Sequence, residues 1–302
     1  MRRLRIVFFG TAGPVSLGAL REVAAGHTIA AVVQPRPELG SAGRARRLLG
    51  GVARALGVRL VPAFEILRRQ RRFPAWEARS GRDAGIVARL QALRPDLLCI
   101  AGYPWILSAG TLTIAPLGAI NVHAALLPRH RGPLPLFWIY YHNDRQTGVT
   151  VHRAIVEADA GDILGQVSFP LPRGLPVEEL NRINGEYAAR ALGPVLRDLD
   201  AGRAVARPQD ETLATLAPRI RPGTPMIEFA SWDVERVWHF MAGLYPRFVE
   251  PLSLEDGVSV RYRGIHGYER TPHRLAPGTV RRVAGGADLY CLGGRVRLAV
   301  GG

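Results

Sequence analysis

A chain of 302 residues has room for one large domain or two ordinary ones, and 47% hydrophobic with 22% charged residues is the balance of a core-forming globular protein. No apolar run approaches the ~20 residues a transmembrane helix needs. The net charge of +15 comes from 40 basic residues that are all arginine, a usage that fits a GC-rich coding background as well as a surface for a polyanionic partner.

The N-terminus, MRRLRIVFFGTAG, sets basic residues before a short apolar stretch that runs into a glycine turn. It therefore predicts a first strand at 5–10 rather than a signal peptide. A helix to about residue 25 and a strand at 27–33 follow, then a helix near 44–56, a short strand at 58–61, a helix at 86–93 and continuous apolar strands at 97–101 and 119–122. Strands alternating with helices predict parallel βαβ units and a Rossmann-like sheet. The turn Gly10-Thr11-Ala12-Gly13 sits where a dinucleotide would bind. It lacks G-x-G-x-x-G spacing, and Gln34 and Pro35 stand where an acidic residue would hold a ribose, so that reading is rejected. Further on, 134–141 predicts a helix, 149–152 and 163–169 strands, and 176–199 a helix with a kink or break at Gly193-Pro194. Residues 201–225, rich in Pro, Arg and Thr, predict a linker. A short helix at 234–241 and strand-like runs at 258–262, 278–283 and 296–300 predict a small β-barrel-like tail. The basic runs at 36–47 and 68–72 read as solvated faces or helix ends, the second more strongly than the first. Cys99 and Cys291 lie far apart within apolar segments and read as core residues in a reducing cytoplasm, not as a disulfide or metal pair.

Chemistry concentrates where the strand at 119–122 empties into NVHAALLP. Asn121 and His123, at i and i+2, share a strand face. An amide donor beside an imidazole suits acyl transfer, by stabilising an oxyanion and moving protons, and a carboxylate from a later loop can orient that imidazole. Alone, such a pair is equally a strand-end Asn and a hydrogen-bonded His. His130, His142 and His152 lie nearby, but their spacings match no metal-ligand pattern and no metal is expected.

Five segments in order change that balance: AGYPWILS (101–108), NVHAALLPRHRG (121–132), QTGVTVHR (146–153), EADAGDILGQ (157–166) and RPQDETLATLAP (207–218). Together they resemble the 10-formyltetrahydrofolate-dependent formyltransferases, a family that includes glycinamide ribonucleotide, methionyl-tRNA and nucleotide-amino-sugar N-formyltransferases. The resemblance implies an α/β formyltransferase fold with a Rossmann-like, mostly parallel sheet and a smaller C-terminal β-rich, OB-like domain. It divides the chain into a catalytic domain at 1–204, a linker at 205–225 and a C-terminal domain at 226–302. By resemblance, His123 is the general acid/base, Asn121 an N–H donor to the tetrahedral oxyanion, and Asp159 the carboxylate that sets His123 or relays a proton; Asp162 is a decoy in the same loop. Trp105, Ile106 and Leu107 map onto the folate-pocket loop, with Ala158 beside the catalytic aspartate. Arg129 and Arg131 flank the acceptor site and could pair with phosphates.

The family implies 10-formyltetrahydrofolate as formyl donor, no metal, a cytoplasmic setting and an oligomeric state left open, a homodimer among the options. For the acceptor, methionyl-tRNA enzymes usually carry SLLPxxRGAAPIQ after the histidine and a NPWPGA-like turn later. This chain has AALLPRHRGPLPLFW and GLYPRFVEP, and FGTAGPVS in place of FGTPxF. These departures favour a small-molecule amine, such as a nucleotide-linked amino sugar or a specialised-metabolite precursor, over methionyl-tRNA. A 10-formyltetrahydrofolate hydrolase and a basic RNA-binding protein with a retired site are the remaining readings, the latter at odds with the presence of Asn121, His123 and Asp159 together.

Overall fold

A computed structural model describes residues 3–36 and 63–300. The helix expected near 44–56, the strand at 58–61 and most of the basic run at 36–47 lie outside the described residues. A seven-stranded sheet has the order β3-β2-β1-β4-β5-β6-β7, built from β1 (Arg5–Gly10), β2 (Thr28–Pro35), β3 (Ala75–Ala78), β4 (Leu97–Ala101), β5 (Ala119–His123), β6 (Gln146–Arg153) and β7 (Ile163–Pro170). β1 pairs in parallel with β2 and β4, β4 with β5 and β2 with β3, whereas β5 and β6 run antiparallel. The strand order reverses direction between β1 and β4. In open α/β sheets the crevice beyond the carboxyl ends of strands at such a point is where ligands bind.

Both faces of the sheet are covered, which is why β1 and β4 read as continuous apolar runs. Phe8, Ile120, Val122, Val149 and Val151 belong to one core cluster, with Leu20, Leu192 and Leu196 packed on them. Phe9, Leu98 and Ile100 belong to a second, with Ile86 and Leu90. The helices begin as the sequence suggests: Pro14 opens α1 (Pro14–Gly26). The next helix, α2 (Ala63–Arg71), ends in the arginine run at 68–72, so that run is a helix end. Asp83 caps α3 (Ala84–Leu93), its carboxylate accepting from the Gly85 and Ile86 amides at 3.0 and 3.3 Å. A single turn, α4, spans Ala109–Leu112.

The helix at Val177–Asp200 (which follows α5, Pro135–Tyr141, and is α6 here) continues through Pro194, so of the kink or break expected at Gly193-Pro194 the break does not occur. Gly193 precedes that proline, so no Cβ meets the pyrrolidine ring. Leu192, Val195, Leu196 and Leu199 hold the helix on the core. α1 and α6 approach closely at Gly18: a Cβ there would lie 1.8 Å from the Gly185 carbonyl oxygen.

Contact clustering divides the chain into two interleaved units, one of residues 1–131, 148–167 and 182–215, the other of 132–147, 168–181 and 216–302. Within the second, α7 (Val234–Leu244) accompanies a four-stranded antiparallel sheet of order β8-β11-β10-β9: Tyr262–Arg270, Gly294–Val300, Gly286–Cys291 and Val280–Val283. The strand expected at 258–262 is displaced. It begins at Tyr262 and runs through YRGIHGYER, where glycines lower the local preference but pairing with β11 overrides it. β10 escaped the sequence reading because its run GADLYC is short and bounded by glycine turns. Cys99 and Cys291 are buried and unbridged. Among the described residues no helix is long and apolar enough to cross a membrane.

Candidate active site

The carboxyl end of β5 delivers Asn121 and His123 to one sheet face, and the antiparallel register with β6 sets His152 opposite Asn121 and Thr150 opposite His123. Cross-strand partners share a face, so four polar side chains form a quartet at the sheet edge. Their neighbours Ile120, Val122, Val149 and Val151 turn the other way into the core.

Thr150 anchors the chain leaving His123. Its hydroxyl donates to the Ala125 carbonyl at 2.6 Å and accepts from the Leu127 amide at 3.1 Å and the Gln166 side-chain amide at 2.8 Å. Beyond it, His130 has φ 63° and offers its carbonyl to His123 Nε2 at 2.8 Å. A carbonyl only accepts, so Nε2 carries the proton. Nδ1 then faces the Asp159 carboxylate, with Oδ2 3.6 Å away. His123 is 7% exposed. Burial, the largest influence, pushes its pKa below the ordinary value, outweighing the opposing pull of Asp159. The imidazole therefore rests neutral, its Nδ1 lone pair toward a carboxylate and its N–H committed to a carbonyl.

Asp159 lies on the turn after β6 in a left-handed conformation, φ 54°, which aspartate tolerates better than most residues. The turn depends on Gly161, where a Cβ would sit 2.0 Å from the Arg153 carbonyl oxygen. Asn121 Nδ2 donates to Asp159 Oδ1 at 3.0 Å and lies 3.1 Å from His152 Nε2. His152 Nδ1 is 2.8 Å from the Arg153 carbonyl and so carries that ring's proton, leaving Nε2 to accept. Both amide hydrogens of Asn121 are thus engaged, one by His152 within the quartet and one by Asp159 beside it, where an open donor was expected.

Of the residues expected from sequence, Asn121, His123 and Asp159 are brought together. Trp105 is half-buried and stands edge-on to Tyr103 (5.5 Å), itself edge-on to Phe9 (5.4 Å), so this loop is tied to the core beneath β1. Ile106 is 56% exposed while Leu107 is buried. Ala158 is exposed beside Asp159. Arg131 is 9% exposed and engaged internally rather than offered to a phosphate: it pairs with both carboxylate oxygens of Glu211 at 2.8 and 2.7 Å and with Gln209 Oε1 at 3.0 and 2.8 Å. Arg129 is half-buried. Sequence reasoning missed His152, Thr150 and Gln209, although strand alternation in VTVHR marks the first two as candidates for the face opposite Asn121 and His123. Among the described residues no group of three or more His, Cys, Asp or Glu is arranged to hold a metal ion.

A neutral buried imidazole, an amide and a carboxylate at the carboxyl edge of such a sheet define a centre for proton-coupled acyl transfer. Residues 5–192 match the family described as formyl transferase, and the chain belongs to that family of folate-dependent formyltransferases. It is 32% identical over 300 residues to the methionyl-tRNA formyltransferase of Halalkalibacterium halodurans, covering 98% of this chain and 89% of the relative. With the methionyl-tRNA formyltransferase of Anaeromyxobacter sp. it shares 36% over 299 residues, 98% of this chain and 90% of the relative. The fold is similar to that of an N-formyltransferase from Helicobacter canadensis solved with folinic acid and dTDP-3-aminofucose. There the TM-score is 0.69 at 12% identity, across 98% of this chain and 99% of the other.

Proposed function

We propose that this chain transfers the formyl group of 10-formyltetrahydrofolate to the amine of methionyl-tRNA. The observation that carries the choice of acceptor is similarity to methionyl-tRNA formyltransferases along 98% of the chain and about nine-tenths of theirs. Two of the three sequence departures that favoured an amino sugar have a packing explanation; FGTAGPVS is not among them. Phe137, in GPLPLFW, and Phe248, in GLYPRFVEP, stack edge to face at 5.1 Å, and both meet Phe240 of α7 at 5.4 and 5.5 Å. Departures that touch each other in a core compensate each other, so they speak weakly about the acceptor. The excess of arginine suits a polyanionic acceptor, with binding that weakens as salt rises.

Formyl transfer to an amine needs a base for the amine proton, a donor for the carbonyl oxygen as it gains charge, and an acid for the departing nitrogen. His123 Nδ1 is the base. Once protonated, the imidazolium stands between two acceptors, Asp159 Oδ2 and the His130 carbonyl, and returns the proton to the leaving nitrogen. Asn121 is the oxygen donor, worth about 3 kcal/mol in comparable sites. To act, it exchanges its bond to His152, keeping the charge-assisted one to Asp159. The folate supplies the activated formyl carbon. The residues suit a flat heterocycle: Ile106, Ile155 and Val156 are exposed apolar side chains on the loops after β4 and β6, and Trp105, next to Ile106 in the chain, offers an indole. We read 1–204 as the catalytic domain, 205–225 as the linker and 226–302 as the C-terminal domain of this enzyme.

A nucleotide-linked amino sugar is the second reading, favoured by RGPLPLFW where methionyl-tRNA enzymes usually read RGAAPIQ. A formylation assay with 10-formyltetrahydrofolate decides between them, offering methionyl-tRNA, a panel of nucleotide amino sugars, or no acceptor. Formyl-methionyl-tRNA formed by the wild type and not by His123→Ala is the expected result. Turnover confined to an amino sugar, or tetrahydrofolate released without any acceptor, would overturn it.

A further inference from the structure

The residues that face His123 come from two separate loops, and one side chain outside the quartet holds both. Gln209 donates through Nε2 to the carbonyl of Asp159 at 2.8 Å and to that of Gly161 at 2.7 Å. Its Oε1 accepts from Nε and Nη2 of Arg131, the residue next to His130. The surrounding stretch is an ordered strap. Arg207 and Ile163 exchange backbone bonds at 2.8 and 2.9 Å. A 3-10 turn spans Glu211–Leu213. Thr215 then accepts the His130 amide on its hydroxyl and the Arg131 amide on its carbonyl, both at 2.8 Å. The strap therefore touches the loop whose carboxylate faces Nδ1 and the loop whose carbonyl faces Nε2.

We propose that Gln209 is a positioning residue for formyl transfer: its amide locks the left-handed Asp159 turn to the Arg131 anchor and so fixes both acceptors around the His123 ring. Only an amide meets these demands, because two carbonyls require donors while Arg131 requires an acceptor. The left-handed conformation at φ 54° still costs energy for a residue with a side chain, and Gln209 grips the carbonyl of that same residue. Misplacing a catalytic carboxylate by about an ångström costs on the order of a hundredfold in rate.

The inference rests on the proposed function, so its test has one arm that needs neither donor nor acceptor. Gln209→Glu keeps length and the Arg131 contact but loses both N–H donors; Gln209→Met loses both functions without adding charge. The expected result in Gln209→Glu is a native melting temperature with kcat reduced roughly ten- to a hundredfold and KM for both substrates near wild type. In Gln209→Met the pKa of His123, followed by NMR of the imidazole nitrogens in the free protein, should fall. The groups facing the ring are Asp159, His152 and His130, and of their charges Asp159 is the one that raises its pKa. An unchanged His123 titration in Gln209→Met overturns the inference whatever the activity shows. If no acceptor is formylated but the titration shifts, the positioning role stands and the proposed reaction falls.

Discussion

Two buried histidines, one in each unit, show how surroundings decide what an imidazole can do. His123 and His239 are both removed from solvent and both have pKa values lowered chiefly by that burial. At His123 both ring nitrogens face acceptors: the His130 carbonyl at Nε2 and the Asp159 carboxylate at Nδ1. Around His239 the neighbours are a donor and cations. Its Nδ1 accepts the Gly174 amide at 2.9 Å, and Arg173 and Arg145 depress its pKa further, to about 3. The first ring is prepared to take a proton and stabilise it; the second is prepared to refuse one. Burial alone identifies neither.

The widest break in this comparison is expected from His123→Ala, which should lower kcat about 10³- to 10⁴-fold in single-turnover formylation while leaving the far-ultraviolet dichroism native. Next, Asp159→Asn removes the charge that raises the His123 pKa. Turnover should fall on the order of a hundredfold, and the acidic limb of kcat/KM, expected below the ordinary histidine value of 6.5, should move lower still. A limb that moved upward would show that Asp159 does not act on this ring.

His239 makes the opposite prediction, in stability. Its folded pKa lies below the unfolded value of 6.5, so the unfolded chain binds the proton first. Its contribution is whole above about pH 6.5 and is lost progressively as pH falls toward 3. Urea unfolding at pH 7 and pH 5 should therefore show about 2 kcal/mol more acid loss for the wild type than for His239→Gln, in which nothing titrates there. The smallest effect is expected from Glu211→Gln. Glu211 is exposed and Arg131 keeps Gln209, so the urea midpoint at pH 7 should stay at the wild-type value.

The sequence pointed to Asn121, His123 and Asp159, which the structure brings together, because Asn121 and His123 are neighbours on one strand and Asp159 lies in a segment with a distinctive glycine. It also carried most strands of the large sheet, whose apolar runs are buried on both faces. What it did not carry depends on long-range register. His152 joins the quartet only because β6 pairs with β5 so that it falls opposite Asn121, and the long connection between those strands leaves that register open. Gln209 sits in a Pro- and Arg-rich stretch whose composition reads as a linker, yet its amide meets backbone carbonyls some 50 residues away. No break occurs at Pro194, which a glycine precedes, while the strand expected at 258–262 begins later because pairing with β11 outweighed local preference, and β10 was missed between its glycine turns.

The chemistry proposed for this site depends on the resting state of His123, which nitrogen NMR of the assigned imidazoles at pH 7 tests most directly. The prediction is a neutral ring with hydrogen on Nε2 and none on Nδ1, beside a neutral His239 whose Nδ1 is likewise bare. A His123 that is an imidazolium at pH 7, or that carries its proton on Nδ1, would contradict the assignment of this side chain as the base.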